Sequence, residues 1–370
     1  MKLILVLAVL SLVLSSAQPP QRQSPLTHPV DSSRNLVVVT IDGFRWVELF
    51  EGADESLIND PELNSDTGTT KMLFWDDDPQ IRRKLLMPFM WSVVARRGQI
   101  WGNRRLGNKV NTANIYHLSY PGYNELLTGT TDLRITDNSK TLNPHANVLA
   151  FLNLQPELQG KVAAFTSWDV FPYILNEEKS DIVLNSGYEK MPEDLNSNTA
   201  SKLNWLQTDG IRERGATRHD QISFLAAREY LEQSRPRVLF LGLGETDEYA
   251  HHKQYGSYLQ QANRIDRMLA DLWHWIQSTP GYKNQTTLLI TTDHGRGTRA
   301  DKWSSHNSFI RGSSQTWMAL IGPGIEAKGE MDEDSQLYQQ DLPSFMAAVL
   351  GHQFEPGSWA GINGTNRKGD

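Results

Sequence analysis

Three apolar runs in this chain each lead into an aspartate: "NLVVVTID" closes at Asp42, "VLFLGLGETD" at Asp247 and "TTLLITTD" at Asp293. A near-continuous β-branched and leucine run is the pattern of a strand buried on both faces, and such strands belong to parallel sheets covered by helices. "KVAAFTS" and "TWMALIGPG" read as further strands of that sheet. Helical stretches lie between them. "IRRKLLMPFMWSVVARRG" finishes with two arginines and Gly98 as a C-terminal stop. From about Tyr255 to Ser278, the residues Tyr258, Ala262, Ile265, Leu269, Leu272 and Ile276 recur at helical spacing and define a core-facing stripe, with Trp273 and Trp275 as packing beside it. Strands alternating with helices predict an α/β fold, a three-layer α/β/α sandwich with a largely parallel central sheet.

The ends bound the compartment. "MKLILVLAVLSLVLSSAQPP" has one lysine, an unbroken apolar stretch and a small-residue exit, so residues 1–17 read as an export signal. A membrane anchor needs about 20 apolar residues, and this run is shorter. Residues 18–34 read as a linker and 35–370 as a single domain, with an acidic, aperiodic insertion near 48–80 expected to be solvated. The run Asp76, Asp77, Asp78 has no spaced ligand loop after it and reads as a charge cluster rather than a calcium site. The absence of cysteine removes thiol nucleophiles, thiolate metal sites and disulfides, and together with the export signal leads us to expect a periplasmic or secreted chain. A net charge of −7 offers no global field for nucleic acid or anionic lipid, and no later segment is long and apolar enough to span a bilayer. Oligomeric state is not legible.

Ligands of open parallel sheets gather outside the carboxyl ends of the strands, so Asp42, Asp247 and Asp293 point at one crevice. His251 follows Asp247 by four residues, His294 abuts Asp293, and His306 lies a short loop later in "KWSSHNS". His252 points elsewhere. Asp and His at one rim are ligands for two divalent cations, the hardware for in-line displacement at phosphorus. One metal takes Asp42, Asp293, His294 and the Ser119 oxygen; the second takes Asp247, His251 and His306 and keeps a position for water. Nitrogen and carboxylate donors without thiolate suit Zn²⁺ first, with Mn²⁺ or Fe as alternatives. Ser119 opens "SYPGYNELLTG", whose Pro121 and Gly122 suit a turn, so by itself it is either a turn residue or a nucleophile.

With these motifs in place the sequence resembles the alkaline phosphatase superfamily, closest to its nucleotide pyrophosphatase/phosphodiesterase branch, over about residues 35 to 352. That branch's nucleophile segment reads T-F-P-N followed by T-G, and "SYPG" with "LLTG" is similar to it, with Ser119 in place of threonine. The first-strand Asp-Gly, the D-x-x-x-H, the D-H-G and a following His stand in family order, and "DLPSFMAAVLG" resembles the family's late helix. The resemblance implies an alkaline phosphatase-like fold, Ser119 as nucleophile through a phosphoserine, and an asparagine on the phosphoryl oxygen, either Asn138 or Asn143. A sulfatase is the nearest rival, but its [CS]-x-P-x-R motif has Tyr123 here in place of arginine. A phosphoglycerate mutase needs a large inserted domain for which the interval from Thr128 to Asp247 is short, and a non-catalytic metal-bound binding protein is the remaining alternative. The substrate is a small phosphate ester. A monoester calls for an extra cation, for which Lys109, Lys302, Arg296 and Arg299 are candidates; a diester calls for an apolar wall, for which Tyr123, Trp168 and Phe171 are candidates.

Overall fold

The computed structural model describes residues 35–359 apart from 193, 194, 196 and 211–214, so the segments read as signal (1–17) and linker (18–34) lie outside the described residues. Its strands are β1 (Asn35–Ile41), β2 (Gln99–Trp101), β3 (Asn108–Asn111), β4 (Val162–Thr166), β5 (Val183–Ser186), β6 (Val238–Leu243), β7 (Thr286–Thr291), β8 (Gln315–Thr316), β9 (Met318–Ile321), β10 (Gly329–Glu330) and β11 (Ser335–Tyr338). Eight of them form one sheet in the order β10-β2-β9-β7-β1-β6-β4-β5, and β11, β3 and β8 form a small second sheet. In the main sheet β9 pairs antiparallel with both neighbours, and every other pairing is parallel.

The period of two along each buried strand builds the three layers. On β1, Val37, Val39 and Ile41 enter one core while Leu36 and Val38 enter the other. β6 divides the same way, with Leu239, Leu241 and Leu243 against Val238 and Phe240. The first core is closed by the long helix Tyr255–Ser278, whose expected stripe is buried from Tyr258 to Ile276, and by Asp220–Ser234. The second is closed by helices Ser119–Thr128, Val148–Asn153 and Leu342–Val349. Trp273 is buried against the first core, and Trp275 packs edge-on against Tyr282.

Two local expectations need correction. Residues 48–80 are not a solvated excursion: Trp46–Glu51, Glu55–Ile58 and Thr67–Phe74 are helices, and Leu49, Phe50, Leu57, Ile58 and Phe74 enter the first core. The acidity of the segment serves as capping, since Asp54, Asp66 and Asp78 accept the amides of Ser56, Thr69 and Gln80 at the starts of three short helices. The predicted helix through "IRRKLLMPFMWSVVARRG" is broken. Pro79–Leu86 stops before Pro88, which lacks the amide proton a continuing helix needs, and a new turn starts at Met90 with the amides of Phe89 and Met90 held by the Asp266 carboxylate.

Candidate metal centre

The carboxyl ends of β1, β6 and β7 lie side by side because those strands are neighbours in the sheet. Asp42 directly follows β1, Asp293 lies two residues past β7, and Asp247 and His251 ride the helix Glu245–His251 that leaves β6. Ser119 is the first residue of helix Ser119–Thr128, so the turn reading fails on geometry. Pro121 is tolerated because it falls in the first helical turn, where amides have no intrahelical partner. Gly122 is there for close approach: a Cβ on it would meet the Asp293 carbonyl oxygen at 2.5 Å. Gly43, at φ +58°, does the same on the other side, where a Cβ would lie 2.6 Å from Asp247 Oδ1.

His294 is the hub. Its Nε2 lies 3.3 Å from Ser119 Oγ, 3.4 Å from Asp42 Oδ1, 3.5 Å from Asp293 Oδ2 and 3.7 Å from Asp247 Oδ1. Ligand-type atoms form two clusters, Asp42, Asp293 and His294 in one and Asp247, His294 and His306 in the other. His251 joins the second through Asp247 Oδ2 at 2.9 Å and His306 Nε2 at 3.1 Å. His294, expected on the serine side alone, thus stands between the two sides.

The donor chemistry fits divalent metal. Asp42 Oδ1 and Asp293 Oδ2 are buried without a hydrogen-bond partner, a costly state for carboxylate oxygens unless a cation meets them. The imidazoles are set for ligation from behind: His294 Nδ1 faces the Gly295 carbonyl and His306 Nδ1 the His117 carbonyl, each at 2.9 Å. Donation of N–H to those oxygens leaves each Nε2 lone pair directed at the centre. Burial pulls the His294 pKa down, but Asp293 and Asp42 outweigh it and raise it to about 9. Burial, and then the His294 charge, hold His306 well below the usual histidine range and lower His251. Burial, and then Asp42, push Asp293 up. The carboxylates that raise His294 supply the same negative charge that would attract a metal cation.

Of the two asparagines, Asn138 lies at the serine, its Oδ1 accepting the Tyr120 amide at 2.9 Å. Asn143 is buried behind the helix, donating to Asn124 and accepting from the His145 amide. His252 is exposed and its Nδ1 faces its own helix at Glu248 O. Tyr123 and Phe171 are core residues rather than a substrate wall, with rings 4.6 Å apart, while Trp168 is half-buried. Arg296 is buried on Asp247, and Arg299 is paired with Asp301. Sequence reasoning missed three supports: the Tyr123 hydroxyl, which donates to Asp42 Oδ2 at 3.3 Å; His117, whose left-handed backbone (φ 53°) presents its carbonyl to His306; and the Arg296–Asp247 pair. The lone signal for any of them is the Arg that follows the D-H-G.

Fold and centre together define a class, the metal-dependent hydrolases of the alkaline phosphatase superfamily. Within it, the family described as type I phosphodiesterase / nucleotide pyrophosphatase matches residues 65–349, and the chain belongs to that family. The matched span begins after β1, so Asp42 enters the centre on geometry. Among solved structures, the lipoteichoic acid synthase LtaP from Listeria monocytogenes is similar with a TM-score of 0.57 at 11% identity, over 90% of this chain and 76% of that one. The alkaline phosphatase PafA gives 0.56 at 10% identity, over 88% and 97%. A phosphonate monoester hydrolase of Agrobacterium radiobacter gives 0.51 at 12%, over 86% and 73%. At such identities the likeness is one of fold. No curated protein matches the chain in sequence.

Proposed function

We propose that this chain is an exported two-metal phosphodiesterase that works through a phosphoserine at Ser119. The observation that supports it best is the position of Ser119 Oγ, at a helix start and 3.3 Å from His294 Nε2, beside two buried carboxylate oxygens that accept no hydrogen bond. Asp42, Asp293 and His294 with Ser119 would hold one ion, and Asp247, His251 and His306 the other, with Zn²⁺ first for this donor set. When bound, such ions lower the pKa of hydroxyl groups and neutralise phosphoryl oxygens. Ser119 Oγ attacks phosphorus in line as the ester oxygen leaves on the far side, and water then bonds to phosphorus from that vacated side, opposite Oγ, which departs and regains a proton as the serine hydroxyl. Asn138 accepts the Tyr120 amide through its oxygen, which fixes the side chain and keeps its NH2 as the donor for a phosphoryl oxygen. The diester reading rests on the family match, with Arg296 and Arg299 engaged by Asp247 and Asp301 and half-buried Trp168 as the wall candidate outside the buried core. Export rests on the N-terminal apolar segment.

The test is a set of parallel rates on a chromogenic phosphodiester, phosphomonoester and sulfate ester, with wild type, Ser119→Ala and Ser119→Thr. The diester should be turned over fastest, Ser119→Ala should lose roughly three orders of magnitude while keeping its metal, and Ser119→Thr should be tolerated best. Net retention at a chiral phosphate is expected from two in-line steps. Inversion, with near-normal turnover by Ser119→Ala, would remove the serine from the reaction.

A further inference from the structure

Arg296 is 1% exposed, three residues past Asp293. Its Nη1 donates to the Ser304 carbonyl, on the loop that carries His306, and its Nη2 donates to Asp247 Oδ1. Asp247 Oδ1 is also the oxygen that faces His294 Nε2 at 3.7 Å and His306 Nε2 at 3.8 Å, the atom a water-side metal would use. The other oxygen, Oδ2, is engaged by His251 Nε2 at 2.9 Å. Both oxygens of Asp247 therefore have close partners, one of them a permanent cation, whereas Asp42 Oδ1 and Asp293 Oδ2 make no hydrogen bond and face only the shared His294 Nε2 at 3.4 and 3.5 Å. The water side is also the more open, with the side chain of Asp247 at 14% and of His251 at 49% exposure against 6% for Asp42 and 0% for Asp293. A guanidinium held on a carboxylate oxygen weakens that oxygen as a ligand and repels an incoming cation.

We propose that Arg296 competes with the water-side metal for Asp247, so that the two sites load unequally: the serine-side ion first and tightly, the water-side ion second and exchangeably. The inference rests on the two-metal reading above. Arg296 acts through Asp247 and is a positioning residue.

The experiment titrates metal-stripped full-length protein with Zn²⁺ against a chromophoric chelator, for wild type, Arg296→Met and Arg296→Gln, the last keeping a donor for the Ser304 carbonyl without the charge. Wild type should show two unequal classes of site. Both variants should tighten the weaker class by roughly ten- to a hundredfold, the scale of removing a nearby unit charge at a partly screened site, and leave the tighter class unmoved. Weaker or unchanged second-site binding in both variants would make Arg296 a clamp and overturn the inference. Two equal sites in wild type would overturn it while leaving the two-metal reading intact. Absence of Zn²⁺ binding in all three proteins would overturn both.

Discussion

The molecule buries two pairs of carboxylates near strand ends of one sheet, and it treats them in opposite ways. Asp220 and Glu245 are 0% and 1% exposed, and hydrogen bonds meet them on every side. Ser167 Oγ and the Gly244 amide donate to Asp220 Oδ1, and the Glu245 amide and Gln261 donate to Oδ2. Glu245 in turn accepts from the Asp220 amide and Gln261 and faces His219 Nδ1 at 2.9 Å. Asp42 and Asp293, 4% and 0% exposed, each keep one oxygen with no hydrogen bond, facing only His294 Nε2 at 3.4 and 3.5 Å. A satisfied buried carboxylate ties elements together, here the starts of helices Asp220–Ser234 and Glu245–His251. An unsatisfied one is held in place for something the chain must bind. Both pairs are buried carboxylates, so the difference lies in the hydrogen bonds.

The largest expected effect tests the unsatisfied pair. Asp293→Asn keeps an acceptor for the Gly43 amide, which Asp293 Oδ1 takes at 3.0 Å, but removes the charge. It should strip the serine-side metal and lower diesterase activity by roughly three orders of magnitude, while metal-free protein unfolds in urea no earlier than metal-free wild type, because Asp42 has lost a like-charged neighbour. Retained metal in the variant would end the contrast between the pairs. His306→Ala comes next, with a loss of about two orders of magnitude and depletion of mainly the water-side ion. Since His294 stands between the clusters, equal depletion of both ions by His306→Ala and Asp293→Asn would show the centre to be one unit rather than two sides.

Asp220→Ala should behave in the reverse sense. It leaves the Gly244 and Glu245 amides, Ser167 and Gln261 without their acceptor, which predicts a loss of about 3 kcal/mol in unfolding free energy. Metal content and rate should stay within a few-fold of wild type at a temperature where the variant is folded. If chemical unfolding moved little and metal fell away instead, the Asp220 pair would belong to the centre as well.

What the sequence made legible follows from which of these features are local. Asp42 and Asp293 could be placed together because each stands at the end of an apolar run, and the rule that strand ends share one edge needs no knowledge of neighbours. His294 follows by adjacency and His251 by helical spacing. Glu245, two residues before Asp247 in "GLGETD", carries the same local signal. Its structural role depends on Asp220 and Gln261, brought in by packing, so nothing in the run distinguishes it. The capped helices Glu55–Ile58 and Thr67–Phe74 escape a reading by period because they are four and eight residues long, although Asp54 and Asp66 stand at their starts. Ser119 taken alone is ambiguous because Pro121 and Gly122 carry turn statistics, and only the resemblance makes it a nucleophile; the use of those two residues here, a first-turn proline and a glycine against the Asp293 carbonyl, requires the helix to be packed on β7's end.

The smallest expected effect probes how far the unsatisfied pair is tuned from behind. Tyr123 is 1% exposed, and its hydroxyl lies 3.3 Å from both Thr40 Oγ1 and Asp42 Oδ2. It is the one side-chain hydroxyl on either unsatisfied carboxylate among the described residues, so it orients Asp42 and leaves Oδ1 facing His294. Tyr123→Phe keeps the ring against Phe171 and deletes that donor. Stability should change by about 1 kcal/mol or less, because a long hydrogen bond is lost and the packing is not. Serine-side metal affinity should fall about tenfold, the low end of what outer hydrogen bonds to ligands contribute, with the water-side ion unaffected. A chelator titration monitored alongside urea unfolding separates the two quantities. A loss in unfolding free energy with no change in metal affinity would place Tyr123 with the satisfied, structural contacts, and would leave the orientation of Asp42 to the Thr246 hydroxyl on its backbone carbonyl.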